Sequence, residues 1–245
     1  MDVGKKGIHV EPTRQMNRQL ALAIQLNDEA TFADFCWGGN ALLQQQLHHA
    51  TDGSGERLMY LWGPSGSGKS HLLQACCQAI GSNQSAMYLP LQTLNEWGPE
   101  AIDGLEEQTL IGIDDIDAIA RVPSWEEALF HLYNRVRDNE RTTLIITGKL
   151  PPAQMPLALA DLRSRLSWGL VLQLNELGDN DKISTLKSRA NKRGFELPTS
   201  VAQFLLNRCS RNMHDLQDLL DSLDKASLMA QRKITIPFVK HTLGI

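Results

Sequence analysis

The chain has 245 residues, a formal net charge of −4, 42% hydrophobic residues and 21% charged residues. That length can bury a sizeable core in one large domain or two small ones. The slight acidic balance excludes a protein built mainly to coat nucleic acid, which needs a large basic surplus. No apolar run approaches the roughly 18–20 residues of a membrane span, so a cytoplasmic location without membrane partners is expected.

The first patterned stretch is NRQLALAIQLN, residues 17–27, in which Leu20, Leu22, Ile24 and Leu26 alternate with smaller or polar residues. Lys5, Lys6, Arg14 and Arg18 precede it, but the run is short and broken by Gln25, Asn27 and Asp28, which does not suit a signal peptide. Residues 1–28 read as a mobile arm. TFADFCWGGN (31–40) brings Phe32, Phe35 and Trp37 ahead of two glycines. A helix-like run follows from Ala41 to Ala50, then the loop TDGSGE at 51–56.

Apolar runs then alternate with helical patterns. Strands are predicted at RLMYLW (57–62), AMYLP (86–90), QTLIGID (108–114), TTLIITG (142–148) and GLVLQL (169–174). Helices are predicted at HLLQACCQAI (71–80) and WEEALFHLYNRV (125–136). Near-continuous apolar strands alternating with helices imply a five-stranded parallel sheet covered on both faces, an α/β domain over residues 29–175. From about Glu176 the strand signals stop. Ile183, Leu186 and Ala190 share one helical face, as do Val201, Phe204 and Leu205. Leu216, Leu219, Leu220 and Leu223 mark a longer helix, and Pro237 opens a last one at its first helical position. Residues 176–245 therefore read as a small all-α domain. Cys36, Cys76, Cys77 and Cys209 form no C-x-x-C pair, so reduced thiols are expected and zinc is not suggested.

GPSGSGKS (63–70) fits the phosphate-loop pattern G-x-x-x-x-G-K-[ST] and lies between a predicted strand and a predicted helix, the context that confirms it. Its glycines let backbone N–H groups converge on phosphate oxygens, and the helix start adds its positive dipole end. Lys69 would reach the β- and γ-phosphates and Ser70 would ligate Mg²⁺. LIGIDDID (110–117) puts Asp114 and Asp115 at the end of a buried strand. Asp114 would hold the magnesium shell and Asp115 would orient the attacking water. Thr147 ends the fourth strand, so its hydroxyl is expected to face the γ-phosphate.

This set, with a helical domain behind it, resembles the AAA+ nucleotidases. GKSHLLQA, LIGIDDIDAIA and DLRSRLSWGL (161–170) are similar to the DnaA family of bacterial replication proteins, as is the TFADF segment. RGFELP (193–198) and QRKITIPFVKHTL (231–243) resemble the branch of that family that inactivates the initiator. The resemblance covers nearly the whole chain and implies an AAA+ domain followed by a helical lid. It implies ADP or ATP as cofactor, ADP being the resting ligand, together with Mg²⁺. Phe35 would contact the base, and Pro64, Ser65, Gly66, Ser67, Gly68, Lys69, Ser70 and His71 would line the nucleotide.

The same resemblance makes Arg165 an arginine finger, projecting into a partner's site to stabilise charge on the transferring phosphoryl group. Such fingers are typically worth ~10³–10⁵ in rate. Arg163 is the neighbouring alternative. Where the lid of such proteins supplies a second-sensor arginine, this chain has His214, which is shorter and often neutral at pH 7. Its own hydrolysis is therefore expected to be weak or absent, with Arg211 a turn earlier as a partial substitute. The locally basic DKISTLKSRANKRG (181–194) reads first as a solvated helix face.

The implied partners are DnaA, the DNA polymerase sliding clamp (β subunit), duplex DNA indirectly through the clamp, and a further copy of the chain. QLALAI (19–24) resembles the short clamp-binding motif, with Gln19 hydrogen-bonding and Leu20, Leu22 and Ile24 filling the apolar pocket. Two other readings stay open, an autonomous AAA+ ATPase such as a helicase loader and a small P-loop kinase.

Overall fold

The computed structural model describes residues 26–81 and 84–245. Gln19, Leu20, Leu22 and Ile24 lie outside the described residues. Five strands form one parallel sheet: β1 (Leu58–Trp62), β2 (Ala86–Pro90), β3 (Leu110–Asp114), β4 (Thr143–Gly148) and β5 (Leu170–Gln173). Their order across the sheet is β2-β3-β4-β1-β5. The register sets Leu61 beside Thr147 and Pro90 beside Asp114, so the C-terminal ends of β1, β3 and β4 lie together. In open α/β sheets that edge is where ligands bind.

Side chains alternate between the two faces of the sheet. Tyr60, Ile111, Ile113, Leu144 and Ile146 pack on α3 (Pro123–Asn139) and α4 (Ala160–Leu166). Met59, Leu61, Leu110 and Ile145 pack on α1 (Ala41–Asp52) and α2 (Lys69–Ala79). Gly112 lies on the α2 face, where an added Cβ would stand 2.8 Å from Leu73 Cγ. Its missing side chain lets α2 sit close over the sheet, which brings the helix start to the strand ends. Leu26 packs on this second core, and Asn27 is bonded to α2 through Gln74 and Gln78. Leu26 and Asn27, within the stretch the sequence pattern reads as an arm, thus contact the α/β unit.

A third core belongs to the C-terminal unit. It comprises α5 (Asp179–Lys192), α6 (Thr199–Arg208), α7 (Met213–Ala230) and α8 (Ile236–Leu243), closed around Leu186, Leu205, Leu216, Leu220 and Leu223. Thr235 caps α8, which puts Pro237 at the second helical position, one later than expected.

Glu126, in the first turn of α3, is fully buried. Its carboxylate accepts the backbone N–H groups of Arg121, Ala158 and Leu159. A buried carboxylate needs such donors, and these three tie the segment before α4 to α3. Among the described residues, no helix is long and apolar enough to cross a membrane.

Candidate functional site

β1 runs into the loop 63–68, and α2 begins at Lys69. Gly66 and Gly68 have φ of +77° and +101°, a backbone that L side chains rarely adopt. Gly68 also has the Phe35 ring against it, 2.6 Å from where a Cβ would stand. Lys69 is buried and its Nζ donates to the carbonyls of Gly63 (2.8 Å) and Pro64 (3.0 Å). Burial pulls the Lys69 amine below its ordinary pKa, and Asp114 and Asp115 act against that. Ser67 Oγ is buried and has no hydrogen-bond partner.

The acidic pair ends β3, and the strands on either side supply its hydrogen-bond donors. Asp114 is 5% exposed. Its Oδ1 accepts the Thr147 hydroxyl at 2.6 Å and its Oδ2 accepts the Tyr88 phenol at 2.8 Å. Asp115 has φ of 58°, a left-handed backbone that its short polar side chain tolerates. Burial holds the Asp115 carboxyl above the usual carboxylate range, a hydrogen bond with Asp117 adds to this, and Lys149 opposes it from 3.7 Å. Asp115 Oδ1 is buried without a partner.

A cavity of about 650 Å³ joins these groups between the two units. Phe35, Ser65, Gly66, Ser67, Gly68, Lys69, Ser70, His71, Asp114, Asp115 and His214 all line it. Pro64 is not among the lining residues and serves through its carbonyl. The structure corrects the expectation for Thr147. Its hydroxyl is committed to Asp114, accepts the Asp115 N–H at 2.9 Å, and is fully buried outside the cavity lining. Thr147 therefore orders the acidic pair and does not face a phosphate.

His71 is held through Nε2, which donates to the Thr31 carbonyl at 2.8 Å, and burial pulls its pKa down. Its ring lies 5.3 Å from that of Phe35. From the lid, His214 is an exposed wall residue with Asp218 at 3.8 Å. Arg211 does not stand in for it, because its guanidinium pairs with Asp179 away from the cavity. The lid's cationic lining comes instead from Arg189 on α5 and Arg193 at its C-cap, the latter paired with Asp221. The basic stretch is thus only partly solvated, since Lys182 is buried against the Arg211 carbonyl.

Sequence reasoning missed Tyr88, Lys149, Asn212 and these two arginines. Lys149 follows the predicted strand end, but the carboxylate it meets lies after β3 and is set by the strand order. Tyr88 gave no signal beyond a strand aromatic.

Arg165 lies outside the cavity. Its guanidinium sits 4.0 Å over the Trp168 ring and 5.9 Å from that of Phe130. Arg165 Nη1 is buried without a hydrogen-bond partner, and no carboxylate pairs with this arginine among the described residues. Arg163 instead reaches the Leu157 carbonyl at 3.4 Å.

The residues fit a nucleotide and a magnesium ion. The unpartnered Ser67 hydroxyl and the left-handed glycines suit phosphate oxygens. Ser70 and Asp114 offer two oxygen ligands on one wall, and no cluster of three or more metal-binding side chains exists among the described residues. That sparse set suits Mg²⁺, which keeps most of its shell from water and phosphate.

Residues 26–173 match the family model for the bacterial DnaA ATPase domain, and residues 179–243 match the model for the Hda lid domain. Domain III of the Thermotoga maritima replication initiation protein DnaA shares the fold, with a TM-score of 0.80 at 21% identity, over 90% of this chain and 98% of that one. AMPPCP-bound DnaA from Aquifex aeolicus aligns with a TM-score of 0.70 at 22% identity, over 83% of this chain and 67% of that one. The Thermotoga maritima RuvB Holliday junction branch migration motor aligns with a TM-score of 0.63 at 17% identity, over 83% and 67%.

Proposed function

The chain belongs to the bacterial DnaA ATPase-domain family and carries an Hda-type lid, and from that premise we propose that it is a cytoplasmic regulator that switches off the DnaA initiator. Its own cavity holds a nucleoside diphosphate, ADP, in place of a turning-over substrate. Lys69 and the 65–70 backbone hold the phosphates, Phe35 and His71 flank the base end, and Ser70 and Asp114 hold the magnesium. When bound, Mg²⁺ neutralises phosphate charge and orients the phosphate oxygens. The bound diphosphate fixes the angle between lid and α/β unit, and with it the surface offered to DnaA.

The arm docks on the DNA-loaded sliding clamp through Gln19, Leu20, Leu22 and Ile24, which links the chain to duplex DNA indirectly. Arg165 is then presented to ATP bound on DnaA, where its planar fork stabilises charge on the transferring phosphoryl group. Hydrolysis there inactivates the initiator and prevents over-initiation. The observation that carries this reading is the setting of Arg165. It is remote from its own cavity, has no acidic partner among the described residues, and rests on two aromatic faces.

The test is a reconstituted DnaA–ATP hydrolysis assay with and without clamp loaded on DNA. Arg165→Ala is expected to keep ADP and clamp binding and to lose stimulation. Full stimulation by that variant would remove the finger assignment. Changing Gln19 and Leu20 to alanine is expected to lose clamp binding alone.

A second reading, an autonomous ATPase such as a helicase loader, is favoured by the convergence of Lys69, Ser70, Asp114 and Asp115 on one cavity. Lys149 against Asp115 and the exposed His214 in the lid weigh against it. Turnover of ATP by the protein alone, stimulated by single-stranded DNA, would establish it.

A further inference from the structure

Both oxygens of Asp114 already carry a hydrogen bond from a neutral O–H. Thr147 on β4 donates to Oδ1 and Tyr88 on β2 donates to Oδ2. These donors come from the two strands on either side of β3. The arrangement follows from the register. Tyr88 pairs with Gly112 and Pro90 with Asp114, so the Tyr88 ring stands on the same sheet face as Asp114, one pleat earlier. Gly112 carries no side chain between them, and the phenol leans along the strand to the carboxylate.

Tyr88 is not simply a core aromatic. It lines the same cavity as Ser70, Gln74 and Asp114. Its phenol thus bonds one of the two residues that would hold a magnesium ion, in the cavity that the other lines. A carboxylate offers about four lone-pair sites. Two are taken by protein, one on each oxygen, which fixes the carboxylate plane and leaves one site on each oxygen. Because both donors are neutral, neither cancels the charge that a cation would meet. The neighbouring carboxylate is treated differently, since Asp115 faces the Lys149 ammonium.

We propose that Tyr88 is a positioning residue for the divalent-cation half of this site. It locks Asp114, together with Thr147, in the one orientation that a hydrated cation beside Ser70 recognises. The inference rests on the reading that the phosphate-loop cavity binds a nucleotide with its metal, and it is independent of DnaA and of the clamp.

The test is titration of the full chain with a fluorescent ADP analogue, in Mg²⁺ and in EDTA. The quantity read is the ratio of the two affinities, the metal-dependent gain. Tyr88→Phe keeps the ring and removes one O–H. It is expected to cut that gain by about tenfold, the size of one hydrogen bond to a charged group, and to leave the EDTA affinity within about twofold. Thr147→Val is expected to do the same, and Thr147→Ser to retain the wild-type gain. A role in packing alone would lower both affinities equally, and that result overturns the proposal. An unchanged gain in Tyr88→Phe also overturns it, with the nucleotide reading left intact. If the wild-type chain binds no analogue under either condition, the nucleotide reading fails and takes this inference with it.

Discussion

Asn212 donates its side-chain amide to the Ser65 carbonyl at 3.1 Å while its Oδ1 accepts the His214 N–H at 2.8 Å. The residue that caps α7 therefore also rests on the phosphate loop and ties the lid to it. A Cβ on Gly66 would stand 2.1 Å from Asn212 Oδ1. Gly66→Ala is thus strained twice, by its φ of +77° and by the clash with the cap. We expect at least a tenfold loss of ADP affinity from displacement of cap and loop together, a loss of roughly 1.4 kcal/mol. Far-ultraviolet circular dichroism should be unchanged. Asn212→Ala should cost about 1 kcal/mol in lid stability, read as a shift in the denaturant midpoint. Wild-type affinity in Gly66→Ala would contradict the contact.

His71 supplies a pH dependence. Its Nε2–H donates to the Thr31 carbonyl, and burial holds its pKa below the ordinary histidine value of 6.5. Between the lowered folded value and 6.5 the unfolded chain binds a proton that the folded chain does not. Stability therefore rises with pH through that window and is lost as pH falls below 6.5. Melting temperatures taken from pH 7.5 down to 5 should show this fall in the nucleotide-free chain. His71→Gln, which can still donate to Thr31, should flatten the slope. An identical slope in the variant would assign the fall to other groups.

Trp168 is 63% exposed and covers the Arg165 guanidinium from 4.0 Å. An exposed cation–π contact is worth roughly 0.5–1 kcal/mol. Under the finger role proposed for Arg165, Trp168→Ala should therefore lower DnaA-directed stimulation by about twofold to fivefold, because Arg165 then samples more rotamers. Trp168→Phe should recover part of it. ADP affinity, measured in parallel, should not change.

The sheet was legible because its strands are apolar runs ended by turn residues, and the parallel order followed from their alternation with helices. The phosphate loop was legible because its chemistry is local in sequence. Thr147 was misread because position along a strand does not say which neighbour a hydroxyl meets; here it is spent on the acidic residue that ends β3. Tyr88 and Lys149 were invisible for a related reason. Their contacts depend on which strands lie side by side, and β2 and β4 flank β3 only after the order is known. Arg211 looked like a substitute for the lid arginine by spacing, but Asp179 lies on its other side. Phe35 was named through the resemblance of its TFADF segment, and its ring lies against Gly68 of the phosphate loop.

Glu126 offers a prediction away from the cavity. Glu126→Gln replaces an acceptor-only carboxylate with an amide whose NH₂ would face backbone N–H groups. Leaving such donors unpaired costs about 1–3 kcal/mol, measured by denaturant unfolding. Under the proposed function, the same change should weaken DnaA stimulation more than ADP binding, because Ala158 and Leu159 lead into the helix that carries Arg165. Equal loss of both activities would deny that separation.

That buried carboxylate also bears on how an encounter with a partner proceeds. The segment leading into the Arg165 helix is anchored by backbone bonds made when the chain folds. Its conformational entropy is lost then and is not lost again on docking. A partner meets a guanidinium whose approach direction is already set, so few collisions fail for want of a correct loop conformation. The speed of productive encounter then depends on diffusion, surface charge and the length of tether holding the two proteins near each other.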